Sequence, residues 1–218
     1  MDSTTKRQEI DHRTLKLIVG VIAISLAGLT AAFADSRITS ISASYHEGGW
    51  SQTVFIGFLF AIAAFLMAYN GLTKPEMVLS KVASVAALGV AMFPCKCETH
   101  EEIIPNIHAI SAALMFLILA YFCRAFFARA KVKGYPQAKL RAAVYALCGV
   151  LIVGSIVVLA YDGLTGNSIS QDIPRLTFYG EATGLVAFGF SWLTASRVLP
   201  GLTRADERFS PLNAVNPD

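Results

Sequence analysis

The stretch WSQTVFIGFLFAIAAFLMAYNGL, residues 50–72, contains no charged residue and shows no alternation of polar and apolar positions. At about 1.5 Å of rise per helical residue, a run of this length crosses the roughly 30 Å hydrocarbon core of a bilayer. Lipid offers the backbone no hydrogen-bond partners, so a continuous apolar run satisfies its amides internally, as a helix. Membrane barrel strands alternate in hydropathy, which this stretch does not.

Five further segments read the same way: Leu17 to Ala34, Met77 to Phe93, Ile103 to Cys123, Ala142 to Tyr161 and Leu176 to Ser196. Lys81 lies one turn inside the third segment, within snorkelling reach of the interface. The chain has 218 residues, 55% hydrophobic and 15% charged, too apolar to be wrapped in water. The expected fold is therefore an all-α polytopic integral membrane protein, a six-helix transmembrane bundle. Its expected parts are a basic arm at residues 1–16, a membrane domain at 17–200 and a tail at 201–218. No internal repeat marks inverted transporter halves.

Of 18 lysines and arginines, 15 fall in the N-terminal arm, the second-to-third and fourth-to-fifth connections and the C-terminal end. Arg37, Lys96 and Arg175 occupy the other three connections. Basic residues in short loops mark the cytoplasmic side. Both termini are thus expected in the cytoplasm, with residues 35–49, 94–102 and 162–175 outside, in a bacterial cytoplasmic membrane. The net charge of +3 then reflects topology and implies membrane lipids, anionic head groups among them, as partners and no nucleic acid. The start of the chain, ending in AFADS (32–36), also has the layout of a cleavable signal peptide. We read it as the first span; cleavage would leave the orientation of the other spans unchanged.

TKPEM (73–77) reads as a helix start, with Thr73 as cap, Pro75 in the first turn and Glu76 completing a capping box. The second and third spans are then antiparallel neighbours. Cys123, Cys148 and the phenylalanines of the spans are expected to pack or face lipid.

The polar residues collect on the outer side. SISASYHEG (40–48) closes the first outer connection, FPCKCETHEEIIPNIH (93–108) forms the second, and YDGLTGNSISQDIPRLTFYGE (161–181) runs from the third into the last span. His108 and Glu181 stand about five residues into their spans, about one and a half turns deep. An ionisable group at such depth faces the bundle interior. We expect Ser42, Tyr45 and His46 to form the lid, and His108 and Glu181 the floor, of one polar site. His46, His108 and Glu181 offer the ligand types of a zinc site. Cys95 and Cys97, with His100 following, offer a second, soft set. A bridge across one intervening residue is disfavoured, so free thiols, a metal or an intermolecular pair are expected there. His12 is expected to be solvated in the arm.

SISASYHEGGWSQTVFIGFLFAIAAFLMAYNG, IHAISAALMFLILAYFC and FYGEATGLVAFGFSWLTASR together resemble an uncharacterised family of bacterial six-span membrane proteins, a domain of unknown function. The resemblance covers nearly all of the chain and implies attention to Ser42, Tyr45, His46, His108 and Glu181. The chain departs from that family at GGWSQ (48–52), where an acidic residue is expected shortly after the histidine. A looser resemblance to DRAM and Sfk-type membrane proteins implies a lipid-associated role. The Ser-x-x-x-His element of Ser42 and His46 resembles the ceramidase and adiponectin-receptor hydrolases, but the chain lacks their seven spans and late His-x-x-x-His pair. Two functions follow as expectations: a binding protein for a lipid or small amphiphile, or a membrane hydrolase of lipid esters or amides, zinc-dependent or using Ser42 as nucleophile.

Overall fold

A computed structural model describes residues 12–97, 100 and 102–210. Residues 1–11 of the expected arm and 211–218 of the expected tail lie outside the described residues. So do Glu98, Thr99 and Glu101 of the second outer connection. The described residues form seven α-helices, no strand, and two short 3-10 turns near the end. The helices are α1 (His12–Ala32), α2 (Ser44–Glu47), α3 (Gly49–Ala68), α4 (Lys74–Met92), α5 (Ile107–Val132), α6 (Pro136–Leu164) and α7 (Leu176–Ser196).

By length and composition, five of these, α1, α3, α4, α5 and α6, suffice to cross a membrane. That is the layout of an integral membrane protein. Their outward faces carry exposed side chains such as Val85, Leu117, Leu147 and Val150, which suit hydrocarbon and not water.

Each long helix packs on the next in sequence, and α7 returns to pack on α1, so the six long helices close into a ring. The α3–α4 connection is short because Thr73 caps α4, accepting from the Glu76 amide at 3.4 Å. Glu76 turns back to the Leu72 amide and to the Arg129 guanidinium on α5. Lys81 also serves this turn: its ammonium reaches the carbonyls of Met67 and Tyr69 at the end of α3. A cation at a helix C-terminus satisfies carbonyls that have no partner within the helix. Pro136 occupies the first position of α6, where no amide donor is needed.

These contacts place the start of α1, the two tight turns and the segment after α7 at one end. His12 is half-buried there, its ring centroid 5.3 Å from that of Tyr69, and not solvated as expected. The 3-10 turn Ala205–Glu207 is anchored at the same end. Arg141, fully buried, donates to the Tyr135 hydroxyl at 2.7 Å, and that hydroxyl meets the Glu207 carboxylate at 2.7 Å. The other end carries the long connections 33–43, 93–106 and 165–175, and we call it the loop end.

The interior has two layers. Near the tight turns it is aromatic: Trp192 lies 5.1 Å from both Tyr69 and Phe188 and 5.9 Å from Phe122, ring centre to ring centre. Towards the loop end it is mostly aliphatic, with Leu26, Ile41, Leu59, Val90 and Leu185 around Phe55. Cys123 and Cys148 are buried in the first layer. At the α1–α7 seam the two backbones nearly touch, since a Cβ on Gly189 would lie 2.6 Å from the Gly20 carbonyl oxygen. Small residues permit such an approach in a membrane.

Candidate functional site

Ser40 first serves the loop's own backbone. Ser40 Oγ accepts from the Ala43 amide at 2.9 Å, and successive tight turns lead into the single turn of α2. Gly48 and Gly49, at φ of +75° and +53°, then reverse the chain into α3 through a region that favours glycine. Ile38 and Ile41 are driven into the end of the bundle, 1% and 2% exposed. The start of α7 clamps this loop from outside. The Phe178 amide donates to the Thr39 carbonyl at 3.0 Å, and Arg175 Nε donates to the Ile38 carbonyl at 3.0 Å.

That clamp brings Glu181 under the loop. Its Oε2 accepts from the amides of Ile41 at 2.5 Å and Ser42 at 3.4 Å, and its Oε1 lies 2.7 Å from Ser42 Oγ. Ser42 Oγ is also 3.0 Å from His108 Nε2, while His108 Nδ1 lies 2.7 Å from the Phe93 carbonyl oxygen. Ser42 and His108 are buried, and Glu181 is partly so.

Counting donors restricts the proton arrangements that satisfy every contact of this trio. The Phe93 carbonyl only accepts, so Nδ1 carries a proton. Ser42 owns one hydroxyl proton and faces two groups that would both accept it if His108 were neutral and Glu181 ionised. Two arrangements satisfy every contact. In one, an imidazolium donates to Ser42 and Ser42 donates to a carboxylate; in the other, a protonated carboxyl donates to Ser42 and Ser42 donates to a neutral imidazole. They interconvert by moving two protons across Ser42, and both hold one proton more than neutral histidine with ionised glutamate. Buried polar groups left without partners are costly, which favours these two states.

Tyr45 and His46 stand outside the trio. His46 Nε2 meets the Cys95 carbonyl at 3.0 Å, and its ring stacks on His100 with centroids 4.0 Å apart. Tyr45 lies edge-on to His46, and its carbonyl accepts from Gln52. The expected five-residue lid and floor therefore resolve into two clusters, joined by the segment after α4: Phe93 holds His108, and Cys95 holds His46.

Comparison with protein-family models, curated proteins and solved structures returns no match.

Both expected metal sets are corrected by these contacts. Each ring nitrogen of His108 is engaged, and His46 is turned to a carbonyl two residues along the chain from the one holding His108. Cys95 and Cys97 are bonded to each other, with Cα atoms 5.3 Å apart, so neither offers a thiolate beside His100. Among the described residues, no three His, Cys, Asp or Glu side chains converge as metal ligands.

Beneath the trio lies a cavity of about 30 Å³. Ser42 and Glu181 line it from the polar side, and Leu26, Phe55, Leu59 and Phe116 supply apolar wall. It has room for about one water molecule. Its lining is polar at one end and apolar at the other. The site also pairs a serine hydroxyl with a histidine that a carbonyl orients, but its carboxylate bonds the serine and not the histidine, unlike a Ser-His-acid triad. Sequence reasoning missed the Ile41 amide and the Phe93 and Cys95 carbonyls, for which no side chain gives a signal. It also missed the clamp by Arg175, whose place one residue before α7 was the available cue.

Proposed function

We propose that this chain is a six-span membrane protein of the bacterial cytoplasmic membrane that binds a lipid or small amphiphile at its loop end. The sixth span is α7, which has the same 21-residue length as α1 and sits between α1 and α6 in the ring. The distribution of basic residues supports an external loop end and a cytoplasmic end with the tight turns.

The observation that carries the binding reading is the two-sided lining of the cavity, with Ser42 and Glu181 above apolar side chains. In this conformation the cavity, at about 30 Å³, is too small for an amphiphile. A ligand enters by lifting residues 40–47, and its polar head takes over the contacts that Glu181 makes with Ser42. Mass spectrometry of lipids and small molecules retained on gently purified protein tests this. The expected result is a stoichiometric amphiphile that is lost in Glu181→Gln; protein that retains none, even after exposure to total membrane lipid, overturns it.

A second reading, hydrolysis of lipid esters or amides, rests on the 3.0 Å Ser42–His108 contact and the 2.7 Å contact of His108 with the Phe93 carbonyl. There Ser42 attacks the carbonyl carbon while His108 takes its hydroxyl proton. The C–O or C–N bond breaks as the leaving alcohol or amine takes that proton from His108, and water then releases the acid from Ser42 by the same steps. Turnover of a fluorogenic ester that is abolished by Ser42→Ala would favour this reading over simple binding.

A further inference from the structure

At the end opposite the trio, a cavity of about 340 Å³ opens among cations from three parts of the ring. Arg13 and Lys16 come from α1, Arg129 and Lys133 from α5 and its end, and Arg197 from the cap of α7, with His12 at the rim. Gathering like charges raises the free energy of the folded chain unless something anionic offsets it. Two carboxylates offset part of it: Glu76 pairs with Arg129, and Glu207 pairs with Lys133 and Arg197. Lys16 is different. Its ammonium lies 5.3 Å from the Tyr69 ring centre and 5.4 Å from that of Phe126, and among the described residues no carboxylate comes within ion-pair distance of it. In the aromatic wall behind it, the buried Tyr69 hydroxyl and Trp192 indole nitrogen have no hydrogen-bond partner among the described residues.

We propose that this cavity is a binding site for an anionic phosphate group, with Lys16 as its central ligand and Arg13, Arg129 and Arg197 around it. Its volume falls within the range of small-molecule sites. The shared chemistry is phosphate, and its source is either a phospholipid head group or a free anion. One feature favours the lipid: Tyr145 lines this cavity and also a groove of about 780 Å³ between α5 and α6, whose walls include Leu117, Ala120, Phe127, Val150 and Val153. A head group in the basic cavity would have apolar wall for its chain on the other side of Tyr145. This proposal is independent of the reading of the loop end.

The test uses the full chain in a neutral detergent, titrated with short-chain phosphatidylglycerol, with short-chain phosphatidylcholine and with inorganic phosphate, and followed by thermal stability and native mass spectrometry. Phosphatidylglycerol should raise the melting temperature by mass action and phosphatidylcholine should not. Lys16→Gln should weaken phosphatidylglycerol binding about tenfold, the scale of one charge-assisted contact, while Lys16→Arg retains it. Without lipid, Lys16→Gln removes repulsion but also the contacts over the Tyr69 and Phe126 rings, so each variant's lipid response is read against its own lipid-free melting temperature. Lys139→Gln, an exposed lysine on α6 at the same end, should bind as the parent does. If Lys16→Gln does not fold, Lys16→Met, which keeps the side-chain stem against the Tyr69 and Phe126 rings without the charge, supplies the same reading. Inorganic phosphate that stabilises alone and displaces the lipid identifies a free anion as the source and keeps the site. Equal loss in the Lys16 and Lys139 variants, or no discrimination between the two lipids with phosphate inert, overturns the proposal.

Discussion

Ser42 Oγ lies 2.7 Å from Glu181 Oε1, a hydrogen bond that joins the first loop to the last helix across 139 residues of chain. Because the same hydroxyl faces His108, its removal unmakes two contacts at once. Ser42→Ala should destabilise the protein by about 1–3 kcal/mol, since it leaves buried groups short of partners. Glu181→Gln should cost less, within ~1 kcal/mol, because a carboxamide can donate to Ser42 and accept from the Ile41 amide. In that variant Ser42 donates to His108, so the nitrogen-15 shift of Nε2 should report an unprotonated nitrogen at neutral pH. A protonated Nε2 in Glu181→Gln, or an ordering of stabilities with Ser42→Ala the milder change, would contradict the donor count.

The seam between α1 and α7 gives a prediction with a built-in control. Gly189→Ala places a methyl 2.6 Å from the Gly20 carbonyl oxygen, whereas a Cβ at Gly57 meets nothing within 4 Å. Overpacking of this kind typically costs about 1–3 kcal/mol, while Gly→Ala at an open helical site gains up to about 1 kcal/mol. Thermal unfolding in detergent should therefore move in opposite directions for the two variants.

Pairing of Cys95 with Cys97 decides a labelling experiment. A membrane-impermeant maleimide should label neither residue until a reductant is supplied, and then the half-exposed Cys97 ahead of the buried Cys95, from the external side in intact cells. Cys123 and Cys148 are buried and should stay unlabelled throughout. Labelling of Cys95 or Cys97 without reduction would show free thiols, and labelling only from the cytoplasmic side would reverse the proposed orientation.

Glu207 supplies the pH dependence. Its carboxylate accepts from the Tyr135 hydroxyl and meets Lys133 and Arg197, which together hold its pKa down from 4.5 to about 2. A carboxylate with a folded pKa below its unfolded one stabilises fully above the unfolded value, and loses that contribution as pH falls towards the folded value. The anchoring of the 3-10 turn at Ala205–Glu207 should hold above about pH 5 and weaken between about pH 4.5 and 2. Hydrogen exchange at Arg208 and Phe209 should rise over that interval beyond the intrinsic pH trend, and Glu207→Gln should show the raised exchange at all pH values.

The long helices were legible because uncharged runs of membrane length have few alternatives. Their ends were less so: α5 continues through RAFFARAKV (124–132) to Val132, and α6 begins at Pro136, because alanine, arginine and lysine sustain a helix after hydropathy has fallen. The reading of depth assumed a span starting at Ile103, whereas α5 starts at Ile107 and leaves His108 in its first turn while Glu181 is the sixth residue of α7; the two meet through Ser42 and not through equal depth. It misplaced His46 because that side chain is aimed by α2, a single turn of four residues with no periodicity to read. The partners of both histidines are carbonyls, and a carbonyl is present at every position of the sequence. The Cys95–Cys97 pair was misjudged for a related reason, because backbone curvature over three residues is set by what the segment packs against.

Closure of the ring by α7 also has a meaning in time. Among the described helices, α7 is the last to be synthesised and α1 the first, yet they share one of the ring's principal seams. Until α7 is made, the Gly20 face of α1 lacks its partner helix and Ser42 lacks Glu181. The ring and its buried trio can therefore be completed only after α7, the last of the described α-helices, has been made.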